Sequence, residues 1–209
     1  MCHRGAAGHV RKHVPLRQVR PGQESRPANE LARPGSLPRG LSAGGGESNK
    51  SDVEEYNGTS WTEIADITTA RMAAAMAGSQ GSAIIFGGPN GPPYVAISEA
   101  WNGTAWTEVG DLNTARATAG GSGTTTAALA VGGWKDTASP PKVQTAVESW
   151  NGSSWSETFE LNTARSQNRA SGTSTDMLVS GGEPGSTTET EHFNGSSWTE
   201  LSDLSLIHI

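Results

Sequence analysis

An all-β fold of tandem four-stranded antiparallel units is predicted by three features of the sequence. An aromatic-Asn-Gly tripeptide recurs four times, a tryptophan follows each copy, and a glycine pair stands at a fixed distance beyond. The tripeptides are Tyr56-Asn57-Gly58, Trp101-Asn102-Gly103, Trp150-Asn151-Gly152 and Phe193-Asn194-Gly195, with their asparagines 45, 49 and 43 residues apart. Self-similarity at such a period marks a repeat architecture, in which each repeat is one supersecondary unit.

The tryptophans are Trp61, Trp106, Trp155 and Trp198, and the first three are followed by Thr-Ala-Arg ending at Arg71, Arg116 and Arg165. Glycine pairs then stand at Gly87-Gly88, Gly132-Gly133 and Gly181-Gly182. Tryptophan to arginine is ten residues in every complete copy and arginine to the first glycine is sixteen, whereas the second glycine to the next asparagine is 14, 18 and 12. All length variation therefore falls in one loop of the unit.

The segment Thr69 to Gly78 has strong helix formers in Arg71-Met72-Ala73-Ala74-Ala75-Met76. Its equivalents, Arg116 to Gly123 and Arg165 to Gly172, are rich in Gly, Ser, Thr and Asn. Copies of one unit share one structure, so a strand is expected in all three, small-residued because it lies near a crowded centre. A second strand ends at the glycine pair, the variable loop follows, and a hairpin supplies the third and fourth strands. The Asn-Gly steps predict two-residue type I′ turns, which need φ > 0 at both central positions. In that register Trp101 faces Thr104, Glu99 faces Trp106, and the two indoles are diagonal neighbours on one face.

Four antiparallel strands recurring every ~40 to 50 residues is the period of a propeller blade. With a glycine pair closing the second strand and an aromatic and a tryptophan flanking the last hairpin, the unit resembles the Kelch repeat. The resemblance covers Leu41 to Leu204 and implies a partial β-propeller of Kelch-like blades. Three are complete, starting from Arg71, Arg116 and Arg165, and one partial blade before them lacks its first strand. The departure is the hairpin, which in the Kelch pattern carries a longer turn than Asn-Gly. A Kelch-type ring uses more blades than these, so the chain is expected to be a piece whose partners include the remaining blades, with strand edges and apolar faces open at each end.

Charge divides the chain. Residues 1 to 50 hold nine of the fifteen Lys and Arg against three acids, while the rest holds six against eighteen. Residues 1–40 show no repeat and an Arg/Pro/Gly-rich composition, and are read as disordered or as translation in a wrong frame. The acidic remainder offers no source for counterion-release binding, which argues against nucleic acid as a partner. Cys2 stands alone and outside the repeats, so no intrachain disulfide or cysteine zinc cluster is expected. No apolar run approaches the ~18 residues of a spanning helix, and the N-terminus lacks the apolar stretch of a signal peptide. Compartment is left open, with extracellular or virion-associated settings compatible with the repeats. After Asp203-Leu204 the repeat calls for Asn-Thr-Ala-Arg, yet the chain runs Ser205-Leu206-Ile207-His208-Ile209. Leu204 to Ile209 is what CTG TCT CTT ATA CAC ATC encodes, similar to a transposon-end adapter of sequencing libraries, so 205–209 are read as an artefactual tail.

The acids Glu54, Glu99, Glu148 and Glu191, with Glu63, Glu108, Glu157 and Glu200, recur in every unit. Paired carboxylates can act as general acid and base, but an active site occurs once. They are taken as partners for indole N–H groups, backbone or the recurring arginine, and the arginines as ion-pairing forks. The four asparagines also fit the N-x-Ser/Thr glycosylation pattern, although a turn explains them. The tripeptides lack the aspartate of the sialidase Asp-box. The repeats contain no cysteine, and only Tyr56, Tyr94 and His192 toward the copper ligands of a galactose-oxidase site. No catalytic residue, metal or cofactor is assigned. The expected function is a non-catalytic binding or structural module recognising carbohydrate or protein through the variable loops after the Gly-Gly strands. Tyr94 and Trp134 are its aromatic anchors, with Lys135, Asp136 and Lys142 beside them. The alternative is a fragment of a propeller enzyme, of oxidase or glycosidase type, with its catalytic residues in blades outside this chain.

Overall fold

A computed structural model describes residues 39–45, 48–89, 93–135, 142–184 and 188–205. The expectations for 1–40 and 205–209 lie outside the described residues except at Arg39, Gly40 and Ser205. Every regular element among the described residues is a β-strand, and none is a helix, so no helix long and apolar enough to cross a membrane is present among them.

Four antiparallel sheets follow one another along the chain, each with its strands in sequential order. The first comprises β1 (Gly40–Ala43), β2 (Val53–Tyr56) and β3 (Trp61–Glu63). The second comprises β4 (Ala75–Ser79), β5 (Ser82–Phe86), β6 (Ser98–Trp101) and β7 (Trp106–Val109). The third comprises β8 (Gly120–Thr124), β9 (Ala127–Val131), β10 (Ala146–Trp150) and β11 (Trp155–Glu160). The fourth comprises β12 (Arg169–Thr173), β13 (Asp176–Ser180), β14 (Thr190–Phe193) and β15 (Trp198–Glu200). Three sheets are thus four-stranded, and among the described residues the first has three strands, with no counterpart of β4.

The alanine-rich stretch is a strand, but it starts four residues after the arginine, at Ala75, Gly120 and Arg169. In the gap, Ala73, Thr118 and Gln167 take left-handed φ values of 48°, 55° and 55°. These residues turn the backbone through a conformation that a helix cannot contain. Crowding explains the small side chains beyond. β4 packs on β8 and β8 on β12, and a Cβ on Gly121 would stand 2.9 Å from the Phe86 ring and 3.0 Å from the Met76 carbonyl.

Three apolar clusters fill the spaces between successive sheets. Val53 and Ile67 pack with Ile85, Trp101 and Trp106, and Ile84, Phe86 and Leu112 with Trp150 and Trp155. Leu129, Val147 and Leu161 pack with Phe193 and Trp198. The last two strands of the second, third and fourth sheets thereby bury their aromatic pair against the sheet before. β5 and β9, covered on both faces, are buried at four of five positions, whereas β13 alternates between buried and exposed. Near-continuous apolar sequence and alternating sequence are the respective signatures of two covered faces and one.

The hairpins differ from the expected two-residue turns. Tyr56 pairs with Trp61, Trp101 with Trp106, Trp150 with Trp155 and Phe193 with Trp198, so each loop has four residues. The aromatics are directly opposite rather than diagonal, with ring centroids 5.1 to 5.4 Å apart. Glu99 accordingly faces Glu108, not Trp106. The physical reason lies in the asparagine side chain. Asn102 Oδ1 accepts the N–H groups of Thr104 and Ala105, both at 2.9 Å, and Asn57, Asn151 and Asn194 do the same in their loops. A side-chain acceptor that closes the turn removes the need for a left-handed asparagine. Only the glycine is left-handed there, Gly103 at φ 91°.

An acceptor at this position is required, and left-handed tolerance is not. Asn151→Gly is therefore expected to lower stability by roughly 0.3 kcal/mol, the scale on which glycine replaces a side-chain cap, while Asn151→Asp stays near neutral. Urea unfolding midpoints of the two variants check this; a stabilising Asn151→Gly would restore the type I′ turn.

Candidate functional site

Each link between sheets ends on a buried arginine, and that arginine organises one end of its sheet. Arg116 is 1% exposed and its partner Glu148, on β10, is 0% exposed. Arg116 Nη2 donates to Glu148 Oε1 at 2.7 Å, Nη1 to the Gly132 and Ala146 carbonyls at 2.9 Å each, and Nε to the Thr114 carbonyl at 3.3 Å. The carboxylate also accepts Asn113 N–H at 2.6 Å, Asn113 Nδ2 at 2.9 Å and Thr114 N–H at 3.2 Å. Arg165 and Glu191 repeat the pattern with Asn162 and Thr163. Arg71 and Glu99 do so with Thr68 and Thr69.

Glu99, Glu148 and Glu191 are thus partners of the arginine and of link backbone. The indole N–H groups go elsewhere: Trp101 donates to the Gln80 carbonyl at 3.0 Å, Trp150 to that of Thr125 at 2.9 Å and Trp155 to Ser98 Oγ at 3.0 Å. Glu108, Glu157 and Glu200 are exposed opposite the buried acids. Glu54 is exposed as well.

Burial pulls the Arg71 and Arg116 guanidinium groups below the ordinary arginine range. Glu99, Asp111 and Glu108 oppose this at Arg71, as Glu148 and Glu157 do at Arg116. Desolvation outweighs the attraction of these carboxylates, so a lone buried arginine here would be costly and the paired glutamate offsets that cost only in part.

The same arginines couple neighbouring sheets through their backbone. The Arg116 carbonyl accepts Gly88 N–H and the Arg165 carbonyl accepts Gly133 N–H, each at 2.8 Å, and the Arg71 carbonyl accepts Gly45 N–H at 3.0 Å. Gly44-Gly45 is a fourth glycine pair, with φ of 63° and 102° against 66° and 91° at Gly87-Gly88. Sequence spacing from an arginine could not find it, because no arginine stands sixteen residues before Gly44.

Just past each glycine pair the chain enters the variable loop, whose base is bridged to the residue after the arginine. Trp134 exchanges hydrogen bonds with Ala117, at 2.8 and 2.9 Å, and Glu183 does so with Ser166, at 2.8 and 3.0 Å. The next residues, Thr118 and Gln167, are the left-handed ones, and they connect the sheets: Thr118 N–H donates to the Ala73 carbonyl at 2.9 Å and Gln167 N–H to that of Thr118 at 2.8 Å. Ala73, Ala74, Thr118, Ala119, Gln167 and Arg169 line a cleft of about 250 Å³. A β-branched residue at positive φ is uncommon, and such strain clusters at functional sites. Residue type does not mark these positions, since none of the three is glycine.

Trp134 and Tyr94 are half-buried, and Lys142 is exposed. Lys135 N–H bonds the Lys142 carbonyl at 2.8 Å, which closes the base of the longest loop and brings Trp134, Lys135 and Lys142 together. Tyr94 bridges Pro89 in the preceding loop, so it stands on the returning arm whereas Trp134 stands on the outgoing one. No ring contact among the described residues joins the two, and Asp136 lies outside the described residues. Among the described residues no group of three His, Cys, Asp or Glu side chains has metal-binding proximity.

Glu148→Ala leaves a buried arginine without its counter-charge and the link donors of Asn113 and Thr114 without an acceptor. The expected loss is about 3 to 5 kcal/mol, read by chemical denaturation. Arg116→Met combined with Glu148→Leu is expected to recover part of it. A loss from Glu148→Ala no larger than that of an exposed substitution, about 0.5 kcal/mol, would contradict the role assigned to the fork. No protein-family model and no curated protein sequence matches the chain.

Proposed function

We propose that the chain is a Kelch-like β-propeller module with a non-catalytic, recognition role. It binds carbohydrate or protein at the end of the array where the variable loops rise. The observation that carries this reading is the bridging of loop bases to the cleft: Trp134 is hydrogen-bonded to Ala117, the residue preceding Thr118 in the cleft wall. Loops of changing length and a polar cleft therefore meet at one end, on a framework whose recurring hydrogen bonds leave little freedom elsewhere. Binding sites concentrate on loops held by a rigid scaffold.

Two features support the Kelch-like assignment. The four-residue hairpin removes the feature that set the Asn-Gly turn apart from the Kelch pattern. The recurring acids and arginines, the natural candidates for acid–base chemistry, bond each other and the backbone in three successive units. That use leaves the aromatic and cationic groups of the loop end, Trp134, Lys135, Lys142 and Arg169, as the groups available to a ligand. An indole face with cations beside it suits a sugar ring carrying acidic substituents or an acidic protein surface.

The full chain is expected to retain ligands on a glycan array or to capture an acidic protein partner, without turnover. Trp134→Ala and Arg169→Ala should each weaken that binding by about tenfold or more, the scale of a central contact residue. Binding that ignores both substitutions but is lost on changing Thr104 in an opposite hairpin loop would place recognition elsewhere, and conversion of a bound sugar would refute the non-catalytic role.

A further inference from the structure

We propose that the link into the fourth sheet builds a single anion subsite in the cleft, and that it takes the carboxylate of an acidic sugar through Arg169 and Gln167. The inference rests on the loop end being a recognition surface, and it names what that surface recognises.

A ligand site occurs once, so the place to seek it is where the repeats stop repeating. The four residues after the fork arginine are Met72-Ala73-Ala74-Ala75 leading into the second sheet, Ala117-Thr118-Ala119-Gly120 into the third and Ser166-Gln167-Asn168-Arg169 into the fourth. Only the last is polar throughout. Stability does not ask for this. Ser166 and Asn168 are 1% and 2% exposed, and Ser166 Oγ and Asn168 Oδ1 are buried without a partner, a cost that the alanines at the same positions of the third link avoid. Asn168 serves instead to hold the link, its Nδ2 donating to the Val131 carbonyl at 3.2 Å and the Arg165 carbonyl at 3.5 Å. Its carboxamide lies so close to Gly120 that a Cβ there would stand 2.1 Å from Oδ1. The third sheet thus lacks a side chain where Asn168 enters. Gln167 and Arg169, on either side of this anchor in the chain, share the cleft wall with Thr118 and Ala119.

Charge selects the ligand. Residues 51 to 209 hold six Lys and Arg against eighteen acids. Arg71, Arg116 and Arg165 are taken up by the forks, and the other three, Lys135, Lys142 and Arg169, form no ion pair with a described carboxylate. All three stand at the loop end: Arg169 lines the cleft, and Lys135 and Lys142 close the loop base that Trp134 ties to Ala117. Screening confines their attraction to about 8 Å at physiological salt, and the rest of the body is acidic. A broad acidic protein surface meets that repulsion, whereas a small ligand with one carboxylate does not. The cleft volume of about 250 Å³ agrees, falling just below the ~300 Å³ at which pockets for drug-sized ligands begin. Arg169 offers the carboxylate a two-donor fork. The exposed side-chain amide of Gln167, which bonds no described residue, offers donors and an acceptor to ring hydroxyls.

Titration calorimetry of the full chain with a hexuronate trisaccharide, its neutral methyl ester and a glutamate-rich peptide tests this. The hexuronate is expected to bind about tenfold more tightly than the ester or the peptide. Arg169→Lys, which keeps the charge and loses the fork, should weaken hexuronate binding by about fivefold, and Arg169→Ala by about tenfold or more, the scale of a hydrogen bond to a charged group. Lys50→Ala, which removes an exposed cation outside the cleft, should change nothing. Arg169 is exposed, and far-UV circular dichroism checks that its variants keep the wild-type fold. Equal binding of hexuronate and ester, or tighter binding of the peptide, overturns the carboxylate subsite and leaves the recognition module standing. Full affinity in Arg169→Ala overturns it as well. Binding of none of the three also overturns the subsite, and retention of other ligands by the chain then decides the module reading separately.

Discussion

The arginine fork is the interaction on which the rest of the structure depends. A single residue at the end of each link bonds inward through its side chain and backward through its carbonyl. Arg116 Nη1 reaches the Gly132 and Ala146 carbonyls of its own sheet, while its main-chain oxygen receives Gly88 of the sheet before. Glu148 then ties down the link residues that led the chain across. The fixed spacing of sixteen residues from arginine to glycine pair follows from this double duty. Lengthening β4, β8 or β12 by one residue would reverse every side chain beyond it and draw the glycine carbonyl away from the guanidinium. Beyond the pair the arginine holds only the returning end of the loop, at Ile97, Ala146 and Glu189, so length can change in the residues between.

How much of this was legible in the sequence depends on the range of the signal. Strand order and the recurrence of arginine beside acids were readable, because repetition turns four weak local signals into one strong one, whereas the choice of Glu99, Glu148 and Glu191 over their neighbours, and of arginine over the indoles, needed the three-dimensional pairing. The alanine-rich stretch at Arg71 to Met76 shows the benefit, since its helical propensity yields to the glycine and serine of its sister copies. The hairpin was misread because Asn-Gly has two physical uses. A left-handed asparagine and a side-chain acceptor both favour the same dipeptide, and only the pairing of Trp101 with Trp106 separates them. The cleft was illegible for a different reason: Ala73, Thr118 and Gln167 share a backbone conformation that neighbouring sheets impose, and nothing in their side chains encodes it.

Polar satisfaction follows the same division between what repeats and what does not. Every fork is complete, with acceptor and donors matched in three units. Among the fourth-strand tryptophans the indole N–H is matched at Trp155, where the residue before the glutamate is a hydroxyl, Ser98, and is without a partner at Trp106 and Trp198, where that residue is Val53 or Val147. Burial of an indole removes roughly 200 Å² from water, worth about 5 kcal/mol at 25 cal/mol per Å². An unmade hydrogen bond costs about 1 to 3 kcal/mol. Packing therefore wins at Trp106 and Trp198, and valine is tolerated beneath them.

Stability in such an array is set by nearest neighbours, and the sheets are not equal in this respect. The second and third are each flanked by two packed neighbours and hold complete forks. The fourth keeps its fork between Arg165 and Glu191 but exposes one face at Leu178. The first has no fork among the described residues: Glu54 is exposed, and the position sixteen residues before Gly44, where an arginine would stand, is Ala28. What fixes the first sheet is its packing through Val53 and Ile67 and the Gly45 bond to Arg71. A polar chain adds to these, with Arg39 donating to Gln80 and Gln80 to Glu55. These contacts are exposed or peripheral, and surface hydrogen bonds of this kind contribute little. The array is thus firmest between its second and third sheets, where Trp155 meets both Phe86 and Ser98, and that is the interface from which the cleft wall at Thr118 is held.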